Sequence, residues 1–533
     1  MFLRICLRTH LLTVIAATLL LTTGCRSPQL GQDDINVQVI ADGSSHSIII
    51  PAGSTAEQAI AAAGLQLQGL DKSDPPAYTV LSAGEIVRVT RVREEFITEE
   101  NIIPFERQIA RNETMPEGET RLVQPGVNGL QETTYRVLLE DGTEILRSSV
   151  KVVILQEAVP EIVMVGAQSA FAPLVIPGKL VYLSGGNAWL MEGTTANRRP
   201  LVTSGNLDGR IFSLSPNGEW LMFTRKSTRP PEEEINTLWA VSTTNPNAKP
   251  FSLGAKNIVH SAVWTPSSKA IAYTTVEPRA IAPGWQANND VYKITVGNGW
   301  ASKPQKVLEA NSGGIYGWWG MELNYSPEGI LGYARPDQIG LVDQQNHELT
   351  PLIEITPLQT HSDWAWVPGV VWGADSQTLY YVTHAAPPSL VSAEESPNFD
   401  LTATSTANKS TVQLTRQTGM FAYPSASTLK RNGKEKSYQL AYLQAIFPEQ
   451  SETSRYRLVV MDRDGSNRHE IFPAPDSPGL QPQRVVWAPE PLEGQVGDFI
   501  ALIYQSNLWL IDSGNGQAFQ VTGDGLITNI DWK

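Results

Sequence analysis

Leu214–Arg225 reads LSPNGEWLMFTR: a tight turn built on Pro and Gly, then a short apolar strand. Working outward, a second strand follows at Thr237–Val241 (TLWAV), a short third at Phe251–Leu253, and one ending in Trp at His260–Trp264 (HSAVW). The beat restarts at Thr265, Ser326, Gly373 and Ala488. Short strands separated by turn residues at a repeat of about fifty residues are the pattern of propeller blades.

From Pro177 to Lys533 the beats number seven, although six remains open. Their expected innermost strands are Ile211–Leu214, His260–Trp264, Glu322–Tyr325, Gly369–Trp372, Tyr423–Ser427, Arg484–Trp487 and Thr528–Trp532. Ile527–Trp532 (ITNIDW) begins a beat that the chain never finishes. Leu180–Ser184, Asn187–Met191 and Pro200–Thr203 supply three strands with no inner one. The last strand is therefore expected to complete the first blade and remove the open edges of the array. Ser215-Pro216-Asn217-Gly218, Ser326-Pro327-Glu328-Gly329, Met461–Gly465 (MDRDG) and Gln413-Leu414-Thr415 resemble parts of the TolB-like, or WD40-like, propeller repeat. The resemblance implies a propeller over 177–533, with Thr265–Ser268 and Ala488–Pro491 as degenerate turns. Insertions at 225–236, 277–289 and 385–408 map to loops, where such folds place binding surface.

Upstream of the propeller lie two smaller β modules. Residues 35–92 run strand, turn, strand, helix and closing strand: INVQVIADG, HSIIIPAG, Ser54–Gly64 and Ile86–Val92. Asp42-Gly43 marks the hairpin, Ser54 to Glu57 fits a capping box, and Gly64 ends the helix. This β-grasp order resembles the small ubiquitin-like domains of bacterial wall-associated proteins. Residues 93–168 carry Gly118, Gly126, Gly129, Gly142 and Gly166 at turns between alternating strands. Their order and flanks resemble the G-five domain, an extended β module of surface proteins implicated in adhesion and amino-sugar binding. The resemblance implies either a glycan binder or a rigid spacer and carries over no catalytic residue.

The N-terminus reads as an address. Arg4 and Arg8 precede the apolar run Leu11–Leu21, too short to span a bilayer, and Leu21-Thr22-Thr23-Gly24-Cys25 follows. This resembles the lipobox of bacterial lipoproteins, with Thr22 where Leu is usual, and implies acylation at Cys25. Residues 26–34 form a polar tether. A lipid-anchored protein facing outside the cytoplasm, in the cell envelope, is the expectation. Removing the leader takes the formal charge from −14 to −16, which excludes a basic nucleic-acid footprint. Cys6 and Cys25 are the two cysteines, so the body of the chain has no disulfide and no thiolate metal site.

Chemistry-bearing patterns are sparse. No nucleophile elbow, Walker loop or dinucleotide fingerprint occurs, and the histidines are too scattered for a zinc-protease helix. Asp462–Gly465 could chelate calcium, but Asp and Gly are ordinary turn formers. His361, Asp363 and His384 could meet in the channel as a lyase-type metal site; as scattered loop residues they read as solvated instead. No cofactor, metal or catalytic residue is assigned. The aromatics are dense at Tyr316–Trp319 and Trp364–Trp366, with Trp285 and Trp300 on insertions. Trp318, Trp319, Trp364 and Trp366 are the candidate ligand-binding residues, because exposed indoles stack on sugar faces. On a strand, one ring of the Trp318–Trp319 pair would face away from the other. The expected function is non-catalytic binding of cell-wall or extracellular glycan, peptidoglycan included, or of an envelope protein. The alternative is a propeller lyase or glycosidase.

Overall fold

A computed structural model describes residues 33–533 apart from 113–114, 168–170, 312, 386–391, 433–434 and 496. Cys25 and the leader lie outside the described residues. The chain divides into two compact units, residues up to 103 with 129–157, and 104–128 with 158–533. The division falls inside residues 93–168, and the chain passes between the units three times.

In the first unit, Asp34–Ala41 and Ser44–Pro51 form a hairpin around Asp42 and Gly43, both with positive φ. Ile86–Thr90 pairs parallel to the first strand and antiparallel to Lys72–Asp74, a strand not read from the sequence. The helix Ala56–Ala62 buries Ala56, Ala59 and Ile60 against Val37, Val39 and Val87, as a β-grasp module does. Its cap is one residue later than expected. Thr55 accepts from the Gln58 N–H and Gln58 bonds back to the Thr55 N–H, while Ser54 donates to the Pro51 carbonyl at 2.7 Å. Residues Val92–Ile103, Gly129–Glu140 and Thr143–Gln156 make a three-stranded sheet whose hairpin turns at Asp141-Gly142. Arg91 knits it to the β-grasp module: its guanidinium donates to Asp42 and Asp71, and its N–H to Asp141.

In the second unit, Glu161–Gly166 lies between Arg107–Asn112, parallel, and Thr120–Gln124, antiparallel. Two glycines here are required by close approach. A Cβ on Gly126 would stand 2.3 Å from the Phe105 ring, and one on Gly166 would stand 1.9 Å from the Pro116 carbonyl. Ile162 and Met164 share a core with Tyr182, Trp189 and Met191 of the first blade.

Seven antiparallel sheets follow, each forming one blade of a propeller. The first takes its inner strand, Ile527–Trp532, from the C-terminus, paired with Val175–Ser184. It has three strands, because Asn187–Val202 continues where the sequence suggested a separate strand at 200–203. The others begin with Leu207–Leu214, Ala262–Trp264, Glu322–Tyr325, Val370–Trp372, Ser425–Ala426 and Val486–Trp487. All seven inner strands fall on the stretches anticipated from the repeat.

The strand-end tryptophans explain how blades are held to one another. Trp264 donates its indole N–H to the Ser213 carbonyl of the preceding blade, Trp372 to Asn324 and Trp487 to Ser425. The turns are coupled as well: Ser268 Oγ accepts from the Asn217 N–H, and Ser376 Oγ from the Glu328 N–H. Ser268 and Ser376 both have positive φ, the conformation Gly takes in the regular turn. The turns at 265–268 and 373–376 have thus exchanged an easy backbone for an inter-blade hydrogen bond.

Candidate functional site

Antiparallel order within a blade sends the second-to-third loop and the exit to the next blade to the same end. Residues 275–290, 309–321 and 355–369 are such loops, so they converge on one face of the propeller. Within the first of them, Val276–Pro278 and Trp285–Ala287 form a hairpin standing off blade 3. Its base is tied to the loop before blade 4. Ala287 donates to the Trp318 carbonyl at 2.8 Å, the Asn289 amide to Gly317, and Asn311 N to the Asn288 carbonyl. Between this hairpin and the next two loops lies a cleft of about 680 Å³ lined by Ile281, Pro283, Trp285, Trp318, Ser362 and Asp363. Ile281, at the hairpin tip, is 81% exposed, so no part of the described chain covers that wall.

Behind the cleft is a cluster of rings that meet tilted or edge-on. Trp319 lies 5.7 Å from both Trp285 and Trp318, and His260 packs on Trp319 at 5.5 Å and on Trp285 at 5.9 Å. Arg210, from the inner strand of blade 2, holds its guanidinium 5.1 Å over the Trp285 ring. Burial, with the Arg210 charge adding to it, lowers His260 to about 4, so the imidazole is neutral at physiological pH.

The four candidate tryptophans therefore separate. Trp318 lines the cleft and Trp319 supports it from behind. Their rings meet edge-on, and do not face away from each other, because 315–319 is a turn and not the strand assumed from sequence. Trp366 is 2% exposed, donates to the Met420 carbonyl and meets Phe399 edge-on, and Trp364 packs half-buried on the same core. Neither lines the cleft. Trp300 is exposed on a hairpin at the opposite end of blade 3. Ile281 and Pro283 escaped notice because an apolar loop tip has no periodicity to mark it.

His361, Asp363 and His384 do not assemble. His384 is buried with each ring nitrogen at a carbonyl oxygen, of Thr356 and Ser396, whereas His361 is exposed beside Glu395. Among the described residues, no three His, Cys, Asp or Glu side chains gather as metal ligands would. Among the described residues, too, no helix is long and apolar enough to cross a membrane.

A family model described as the G5 domain matches residues 94–168. Residues 94–168 are a G5 domain. The G5 domain of HP0197 is 20% identical, covering 14% of this chain and 99% of its own, at a TM-score of 0.14. The G5 domain of IgA1 protease is 25% identical, covering 15% and 94%, at 0.12. The tricorn protease is 10% identical, covering 77% of this chain and 44% of its own, at a TM-score of 0.39. No curated protein matches the sequence.

Proposed function

We propose that this chain is an envelope-anchored, non-catalytic binding protein whose propeller holds a cell-wall or extracellular glycan against the cleft between Ile281, Trp285 and Trp318. The observation that carries the reading is the pre-formed aromatic wall: the Trp318 carbonyl accepts from the Ala287 N–H of the hairpin, and the facing Ile281 is open to solvent. An indole fixed before binding loses little entropy when a sugar ring stacks on it. The G5 domain, a module found in extracellular binding proteins, accords with this role. Cys25, as the acylated residue, would hold the chain at the membrane while its modules extend outward.

The test is equilibrium binding of the full-length protein to peptidoglycan fragments and soluble wall polysaccharides. Trp318→Ala should weaken binding about tenfold, the loss of ~1.4 kcal/mol expected for one stacked ring. The loss should persist at high salt and leave the melting temperature nearly unchanged. If no polysaccharide binds, the reading is wrong. Release of reducing ends or unsaturated sugars would make the protein an enzyme instead.

A further inference from the structure

The inner strands of blades 4 and 7 stand on opposite sides of the seven-membered ring, with blades 5 and 6 between them on the short path. A direct contact between them must cross the central channel, and one exists: Arg484 of blade 7 donates through Nη2 to Glu322 of blade 4. The guanidinium also lies 5.1 Å over the ring of Tyr423, at the entry to blade 6. Three blades thus meet at one cation in the lumen.

We propose that this channel mouth is a receptor for a single carboxylate group, with Arg484 as the binding residue and Glu322 as the internal anion that occupies it. Arg484 commits one nitrogen to Glu322, whereas its planar fork has donors for two carboxylate oxygens. Its Nε and Nη1 have no protein partner among the described residues, and its side chain is 46% exposed. The Tyr423 hydroxyl also has no protein partner among the described residues, and burial pushes it up to about 12, so it remains a donor. The Tyr423 ring braces the guanidinium from one side. The chain carries a formal charge of −14, so its general field repels anions, and a cation in the channel is a local exception. The site is separate from the aromatic cleft and does not rest on the glycan reading.

The test titrates the full-length protein with glucuronate, acetate and, as the neutral control, glucose. Arg484→Gln and Glu322→Gln break the same ion pair, so a purely structural strap changes equally in both. A receptor responds with opposite signs: Arg484→Gln should abolish carboxylate binding, and Glu322→Gln should tighten it about tenfold. Preference for glucuronate over acetate would identify an acid sugar as the source of the carboxylate, and equal binding any organic acid. Either supports the site. Carboxylates binding no better than glucose in wild type and Glu322→Gln alike, with equal losses of stability in both variants, would overturn it. Acetate has no ring to stack on Trp318, so its binding reports the channel alone, and failure here and failure of the cleft are distinguishable.

Discussion

Replacing Asp531 probes ring closure at its most exacting point. Asp531 sits in the C-terminal strand, 8% exposed, and one carboxylate oxygen accepts from the Leu214 N–H at 2.8 Å and from the Ser213 hydroxyl at 3.1 Å. Both donors belong to blade 2, whereas the strand itself completes blade 1. Asp531→Ala leaves the Leu214 N–H unpaired at a residue 1% exposed. A buried donor stripped of a charged acceptor costs about 3 kcal/mol. A propeller of this length unfolding as one unit has an unfolding entropy near 0.75 kcal/mol/K, from about 2.1 cal/mol/K per residue. The expected fall in melting temperature is therefore about 4 °C in scanning calorimetry. Asp531→Asn keeps an acceptor oxygen and should lose less than half as much. If Asp531→Ala melts within a degree of wild type, or Asn and Ala are equivalent, the carboxylate does not hold the first blade to the second.

Three further substitutions test other levels of the account. Gly166→Ala drives a Cβ onto the Pro116 backbone and should cost about 2 kcal/mol in chemical denaturation, whereas Gly69→Ala, with open space around it, should cost nothing measurable. His260 has a folded pKa of about 4 against 6.5 unfolded, so its contribution is fully present above 6.5 and is lost as pH falls toward 4, by up to about 3 kcal/mol; His260→Gln should flatten the melting temperature in that window, and an unchanged slope would show that the imidazole titrates freely. Cys25→Ser should move the protein from the membrane to the soluble fraction or leave uncleaved precursor, and unchanged detergent-dependent fractionation would refute the lipid anchor.

The blade count and closure were legible because they depend on local chemistry. Pro-Gly turns such as 215–218 and Trp at strand ends recur at fixed spacing, and an unfinished beat at 527–532 has one natural partner. The extra strand Lys72–Asp74 and the parallel pairing of Glu161–Gly166 with Arg107–Asn112 were not legible, since register between distant segments leaves no local mark. Helix capping was misplaced by one residue because Ser54 and Thr55 both suit the position. Indole density pointed to a loop that lines the cleft but could not rank the tryptophans. Trp318 and Trp366 look alike in sequence, and only the packing of Phe399 and Met420 around the second makes it core. The wall opposite Trp318 was legible only as part of the 277–289 insertion, because Ile281 is an isolated apolar residue in a loop.

Hydroxyl-radical footprinting of the full-length protein, with and without peptidoglycan fragments or wall polysaccharide, measures the binding face directly. The account expects ligand to protect Ile281, Trp285 and Trp318, while Trp300 at the opposite end of blade 3 stays reactive. Protection at Trp300 with none at Ile281 and Trp318, or no protection anywhere, would contradict it.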